Sequence, residues 1–172
     1  MRIPYRPHSF TKVKHPPRYI IIHDTGKDVL PEPSVVMDTQ GYQVGKLRDQ
    51  NMVINGDFDL NYHYIVERLK GDFEAMVSRP LNAMCEHDDI RSPYDGAIHV
   101  AILGNYDYDI PEERLYQCVA YRVIGPLLWM FKLDKSRVKL HSEVSDTEIG
   151  CPGRNFDKQR LMSYVKTLII PR

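Results

Sequence analysis

Apolar and polar positions follow distinct rhythms along the chain. Arg18-Tyr-Ile-Ile-Ile-His23 is a β-branched run that stops at Asp24-Thr25-Gly26. A continuous apolar stretch of this length predicts a central strand buried on both faces. Leu30 to Ser34 carries two prolines and reads as a loop. Tyr42 and Leu47, with Lys46, Arg48 and Asp49 between and after them, suggest one modest helix ending near Gln50. Asn55-Gly56-Asp57 is turn chemistry. Tyr62–Arg68 and Phe73–Ser78 then flank Lys70-Gly71-Asp72, which predicts a β-hairpin.

Residues 79 to 97 form a polar loop of a length that is usually functional when it has no structure of its own. Ile98–Leu103 is a further strand, closed by Gly104-Asn105. Pro111-Glu112-Glu113 opens the longest helix, with proline in the first turn and acids at the positive dipole end. Its apolar stripe is Leu115, Val119, Val123, Leu127 and Met130. Gly125-Pro126 predicts a kink, because proline lacks a donor and clashes with the preceding turn. Val138–His141 reads as a short strand and Asp157–Ile169 as a last helix with Asp157 near its cap. Strand, helix, hairpin, strand, long helix, strand, helix is the order of an α/β fold: a single-layer mixed central β-sheet flanked by helices.

At 172 residues the chain has the size of one domain, which divides into a basic, proline-rich arm (1–17) and a main domain (18–172). The arm carries Arg2, Arg6, Lys12 and Lys14 with Pro4, Pro7, Pro16 and Pro17, and no acid precedes Asp24. It reads as an extended segment packed on the domain, with contact to an anionic surface or to a virion protein as the alternative. It has no apolar h-region, so no signal peptide is expected. Basic and acidic residues balance at 23 each, which argues against a dedicated nucleic-acid binder. No run of 18 apolar residues exists, so stable membrane insertion is not expected. Three cysteines, Cys85, Cys118 and Cys151, make no disulfide framework and suit a reducing compartment or a metal ligand.

Candidate chemistry lies at strand ends. His23 and His141 each terminate a predicted strand, and Cys151 follows ten residues later in Cys151-Pro152-Gly153. Side chains at strand ends of an α/β sheet leave the packed core and converge at its rim. Two imidazoles and a thiolate suit zinc, and three protein ligands leave a fourth tetrahedral position for water. Each residue also has a plainer reading, as a hydrogen-bonded histidine or a small buried hydrophobe.

Four islands, in order from Tyr19 to about Phe156, resemble the type 2 N-acetylmuramoyl-L-alanine amidases, a family related to peptidoglycan recognition proteins. They are Tyr19-Ile-Ile-Ile-His-Asp-Thr25, Asn61-Tyr-His-Tyr-Ile-Val66 with its Lys70-Gly71-Asp72 turn, Ile98-His-Val-Ala-Ile-Leu-Gly-Asn-Tyr-Asp107, and His141-Ser-Glu-Val144 with Cys151-Pro-Gly153. The resemblance implies Zn2+ held by His23, His141 and Cys151, and Tyr62 as an active-site tyrosine facing the metal from a strand. His87 resembles a loop histidine lining the family's substrate groove; a solvated loop histidine is the other reading. Ile149 departs from the lysine or threonine many relatives carry two residues before the third ligand. Thr147 or Glu148 is the candidate for the missing polar contact, as if two residues had been inserted before Cys151. His63 reads as structural. His99 stands where relatives keep a small residue, and its role is open.

The implied reaction is zinc-dependent hydrolysis of the amide between N-acetylmuramic acid and L-alanine, with peptidoglycan or a muropeptide as partner. Glu148, Tyr62 and zinc-bound water are the candidate proton donors. The expected setting is a bacteriophage endolysin or virion-associated lysin, made in the bacterial cytoplasm and acting at the cell wall. The alternatives are a non-catalytic peptidoglycan-binding module and a cytoplasmic muropeptide-recycling amidase.

Overall fold

The computed structural model describes residues 11–26, 60–69, 71–85, 87, 89–146 and 150–168. The expected helix before Gln50 lies outside them, as do Lys70, Thr147, Glu148 and Ile149. Five strands form one mixed sheet: β1 (Ile20–Asp24), β2 (Tyr64–Leu69), β3 (Asp72–Val77), β4 (Ile98–Ile102) and β5 (Val138–Leu140), in the order β3-β2-β4-β1-β5. β1 pairs in parallel with both β4 and β5, β2 pairs in parallel with β4, and β2 and β3 form the expected antiparallel hairpin. Every residue of β1 and β4 is buried, as a continuous β-branched run predicts for interior parallel strands.

Alternation along β1 and β4 sorts side chains between two faces. Ile20, Ile22, Ile98, Val100 and Ile102 enter the main core with the helices. Ile21 packs instead with Ala97 and Val144 beneath the 79–97 segment, and Ala101 with Ile65, Leu60 and Leu103. Helices therefore cover one face, while loop segments cover the face that carries the odd-numbered residues. Within the arm, Lys12 bridges to Ala83, and the Met84 N–H donates to the Thr11 carbonyl at 2.7 Å.

The long helix runs through its proline by a different device than a simple kink. It consists of α1 (Glu113–Cys118), a π-helical turn (Val119–Ile124) and α2 (Gly125–Phe131). The Gly125 N–H donates to the Ala120 carbonyl, five residues back, and Pro126, which has no N–H, sits in the first turn of α2. This wide turn shifts the phase of the apolar stripe. Leu115, Val119, Val123 and Leu127 are fully buried, but Met130 is 52% exposed and Leu128 takes its place in the core. The last helix, α3 (Lys158–Thr167), is capped as expected, with the Asp157 carboxylate accepting from the Arg160 N–H at 3.0 Å.

Candidate active site

Strand register alone brings the first two histidines together. Ile22 of β1 pairs with Leu140 of β5, so His23 and His141, the next residue on each chain, emerge side by side. Their ring centroids lie 4.3 Å apart. His141 opens a 3-10 turn, His141–Glu143, which carries its ring away from the strand line toward the rim.

The 79–97 segment supplies a third imidazole. His87 stacks on His23 with centroids 4.8 Å apart and planes 19° apart, and one ligand atom from each of His23, His87 and His141 lies within 4.8 Å of the others. All three carry pKa values below the usual imidazole range. For His23 the causes are burial first, then the charges of His99, His87 and His141; for His87 burial leads, taking it down to about 4. For His141 burial wins over the opposing pull of Asp89. Three neutral imidazoles are three available lone pairs. The Nε2 of His87 is buried and makes no hydrogen bond, whereas the Nε2 of His141 faces Asp89 Oδ2 at 2.9 Å. Burying a nitrogen unsatisfied is costly, and a cation offers the His87 Nε2 lone pair a partner. The donor set therefore fits zinc.

Cys151 does not join this group of ligand atoms among the described residues; it is tied instead to the chain neighbours of both strand-end histidines. Its carbonyl accepts from the N–H of Ser142, next to His141, at 2.9 Å. Its sulfur accepts from the N–H of Asp24, next to His23, at 3.3 Å. Burial pushes its thiol well above the usual range, against the opposing backbone hydrogen bond from Asp24. The Asp24 carboxyl is raised too, by burial, and accepts from the Tyr106 N–H at 3.3 Å. Gly153 lets this loop seat against the neighbouring turn: its φ is +95°, and a Cβ there would come within 2.7 Å of Tyr106 O and Asp107 N.

Tyr62 reaches the site but not from a strand. β2 begins at Tyr64, Asn61 adopts a left-handed φ of 59°, and the N–H groups of Ser78 and Arg79 both donate to the one His63 carbonyl. This bulge-like pairing interrupts alternation. Tyr62 consequently packs on the Leu60–Ile65 side while Tyr64 packs against the main core, so the two do not form one aromatic stripe. The Tyr62 ring lies 5.3 Å from His23 and 5.6 Å from His87. Burial raises its phenol pKa well above the ordinary value, which keeps the proton available for donation.

Two further residues join the site. Asp89 sits at the His141 Nε2 and accepts from Ser145 Oγ at 2.6 Å; the Ser145 and His141 contacts outweigh burial and hold its carboxyl low. His99 bonds through Nδ1 to His23 Nε2 at 2.9 Å. His63 is structural, as expected: it is buried, and its Nε2 donates to the Ala83 carbonyl at 2.9 Å. The only sequence signal for Asp89 was its place in an overlong polar loop. His99 was visible as an anomaly, a histidine inside an apolar strand.

No protein-family model and no curated protein matches the chain in sequence. Solved structures do match it in shape. The Ph2119 endolysin of a Thermus scotoductus bacteriophage is 21% identical, with a TM-score of 0.64 over 94% of this chain and 93% of that one. The N-acetylmuramoyl-L-alanine amidase LysC of Clostridium intestinale is 19% identical, with a TM-score of 0.61 over 87% and 85%. A variant of Drosophila peptidoglycan recognition protein LB, solved in complex with tracheal cytotoxin, is 19% identical, with a TM-score of 0.63 over 96% and 89%. The chain thus has the mixed-sheet fold shared by endolysins, N-acetylmuramoyl-L-alanine amidases and peptidoglycan recognition proteins.

Proposed function

We propose that this chain is a zinc-dependent N-acetylmuramoyl-L-alanine amidase that hydrolyses the bond between the lactyl group of N-acetylmuramic acid and L-alanine. One observation carries the reading: three imidazoles converge, the Nε2 of His87 buried without a hydrogen bond, at one rim of a sheet whose fold is shared with an endolysin and an amidase. His23 and His141 hold the metal in this reading, and Cys151, outside the group of converging ligand atoms, is assigned the third position on the family resemblance alone. His87 lies over the same place and lines the approach of the substrate. Bound zinc supplies a Lewis acid that polarises the carbonyl and activates water at neutral pH. Tyr62, kept protonated by burial, donates a hydrogen bond to the oxygen on which negative charge develops. Thr147 or Glu148 is assigned the polar contact that Ile149 leaves missing, and Glu148 or Tyr62 supplies the proton that the leaving amine requires. The substrate is peptidoglycan or a soluble muropeptide, and the setting is a phage lysis or virion-associated enzyme acting at the cell wall. The basic arm (1–17) is assigned contact with the envelope or a virion protein.

A second reading, recognition of muropeptide without cleavage, is favoured by the likeness to a peptidoglycan recognition protein ectodomain complex solved bound to tracheal cytotoxin. One experiment separates them. Purified peptidoglycan is incubated with the metal-loaded chain, with the chelated chain, and with the chelated chain after zinc is restored. New L-alanine amino termini that vanish on chelation and return with zinc support the amidase. Bound but uncut polymer supports recognition, and new reducing sugars overturn both.

A further inference from the structure

His99 is a buried group that the proposed reaction leaves unused. It lies in β4, is 2% exposed, and places Nδ1 2.9 Å from His23 Nε2. Its position is fixed from both sides. The His99 N–H donates to His63 Nδ1 at 3.0 Å, the His99 carbonyl accepts from the His63 N–H at 2.9 Å, and His63 is in turn held by the Ala83 carbonyl. The ring stacks on His87 with centroids 4.3 Å apart.

A hydrogen bond between two imidazoles can run either way, and only one direction suits a metal ligand. If His99 donated, the single proton of neutral His23 would sit on Nδ1, and its one lone pair would already be engaged at Nε2. If His99 accepts, His23 is protonated on Nε2 and Nδ1 carries a free lone pair. Metal-bound histidines commonly donate their other N–H to an acceptor that fixes ring and tautomer, usually a carboxylate, a carbonyl or water. His141 has Asp89 at the corresponding place. We propose that His99 is the positioning residue for His23: a neutral imidazole acceptor that holds the ring as its Nε2–H tautomer and presents Nδ1 to the metal. This rests on the reading of His23 as a ligand.

Zinc affinity of the full chain, measured by chelator competition, tests the proposal in wild type, His99→Leu and His99→Asn. An asparagine amide oxygen can stand near the Nδ1 position and accept the same hydrogen bond, whereas leucine cannot. His99→Leu is expected to bind zinc about 10- to 100-fold more weakly, and His99→Asn to stay within about 3-fold of wild type. Nitrogen-15 NMR of the metal-free wild type is expected to show His23 protonated on Nε2. Equal affinity in all three proteins overturns the inference while leaving the zinc site standing, as does a His23 protonated on Nδ1. Equal loss in both variants makes His99 a packing residue and also overturns it. A wild type that binds no zinc fails the underlying reading instead. Should the leucine variant not fold, the asparagine variant and the wild-type NMR still decide.

Discussion

The amide of Asp24 donates to the sulfur of Cys151 at 3.3 Å, joining residues 127 positions apart. Because the Cys151 carbonyl is held at the same time by the N–H of Ser142, one cysteine is fastened to the immediate neighbours of both strand-end histidines. Cys151→Ser should retain the backbone tie to Ser142 and the fold, with the serine hydroxyl able to accept from the Asp24 N–H, while losing a thiolate ligand. Outer-shell changes at metal sites cost about 10- to 100-fold, so losing a ligand should weaken zinc by more than about 100-fold. Metal content after competition with a chelator, with circular dichroism as the folding control, checks this. Retention of full zinc and activity sinks the ligand assignment.

Tyr62→Phe keeps the ring that packs beside His23 and removes only the hydroxyl. Turnover on a muropeptide should fall about 100- to 1000-fold, the usual cost of one oxyanion donor, with zinc content unchanged. Loss of zinc in this variant would show that Tyr62 acts on the metal site and not on the substrate.

Asp89→Asn leaves the shape of the side chain but removes its charge beside His141 Nε2. Zinc affinity should drop about 10- to 100-fold. Ser145 Oγ, which donates to the same carboxylate, keeps a partner in the amide oxygen, so the melting temperature of the metal-free chain should move little.

Acid should destabilise the metal-free protein in a defined window. His87 has an ordinary pKa of 6.5 when unfolded and about 4 when folded, because burial disfavours its charged form. Between those values the unfolded chain binds more protons, so stability is present above the unfolded value and is lost as pH falls toward the folded one. His23 and His141 are shifted in the same direction and add to the slope. Urea unfolding at several pH values, repeated on His87→Gln, should show a shallower slope in the variant. An unchanged slope refutes the contribution of His87.

Gly153→Ala should destabilise the chain by at least about 1–3 kcal/mol, the cost of a side chain in a sparsely populated backbone region, with the clash against Tyr106 and Asp107 in addition. Thermal unfolding reads the loss, and a melting temperature equal to that of wild type would show that the Cys151 loop repacks freely.

β1 and its end at His23 were legible because a continuous β-branched run reads as a buried strand, while β5, only Val138-Lys139-Leu140, was legible from its alternation and its place before His141. What escaped was the detail of how distant segments close: His87 was expected to line the substrate groove, not to bring its ligand atom among those of His23 and His141, and Asp89 was not expected at all. His87 and Asp89 reach the site only because a long polar loop folds over the odd-numbered face of the sheet. Tyr62 was identified but given the wrong backbone, since a paired bulge at His63 leaves no mark in residue types. The stripe ending at Met130 failed for a related reason: the π-helical turn adds a residue to one turn, and α-helical periodicity cannot anticipate it.

The division of β1 and β4 into two interleaved sets has an evolutionary consequence. A one-residue insertion or deletion before His23 within β1 would turn every side chain to the opposite face, sending an imidazole toward Ile98 and Val100 and an isoleucine to the rim. Length variation among descendants of this chain should therefore be confined to the connections, while the strands change by substitution alone. Lineages built this way can drift far in composition and still keep their reactive groups in place.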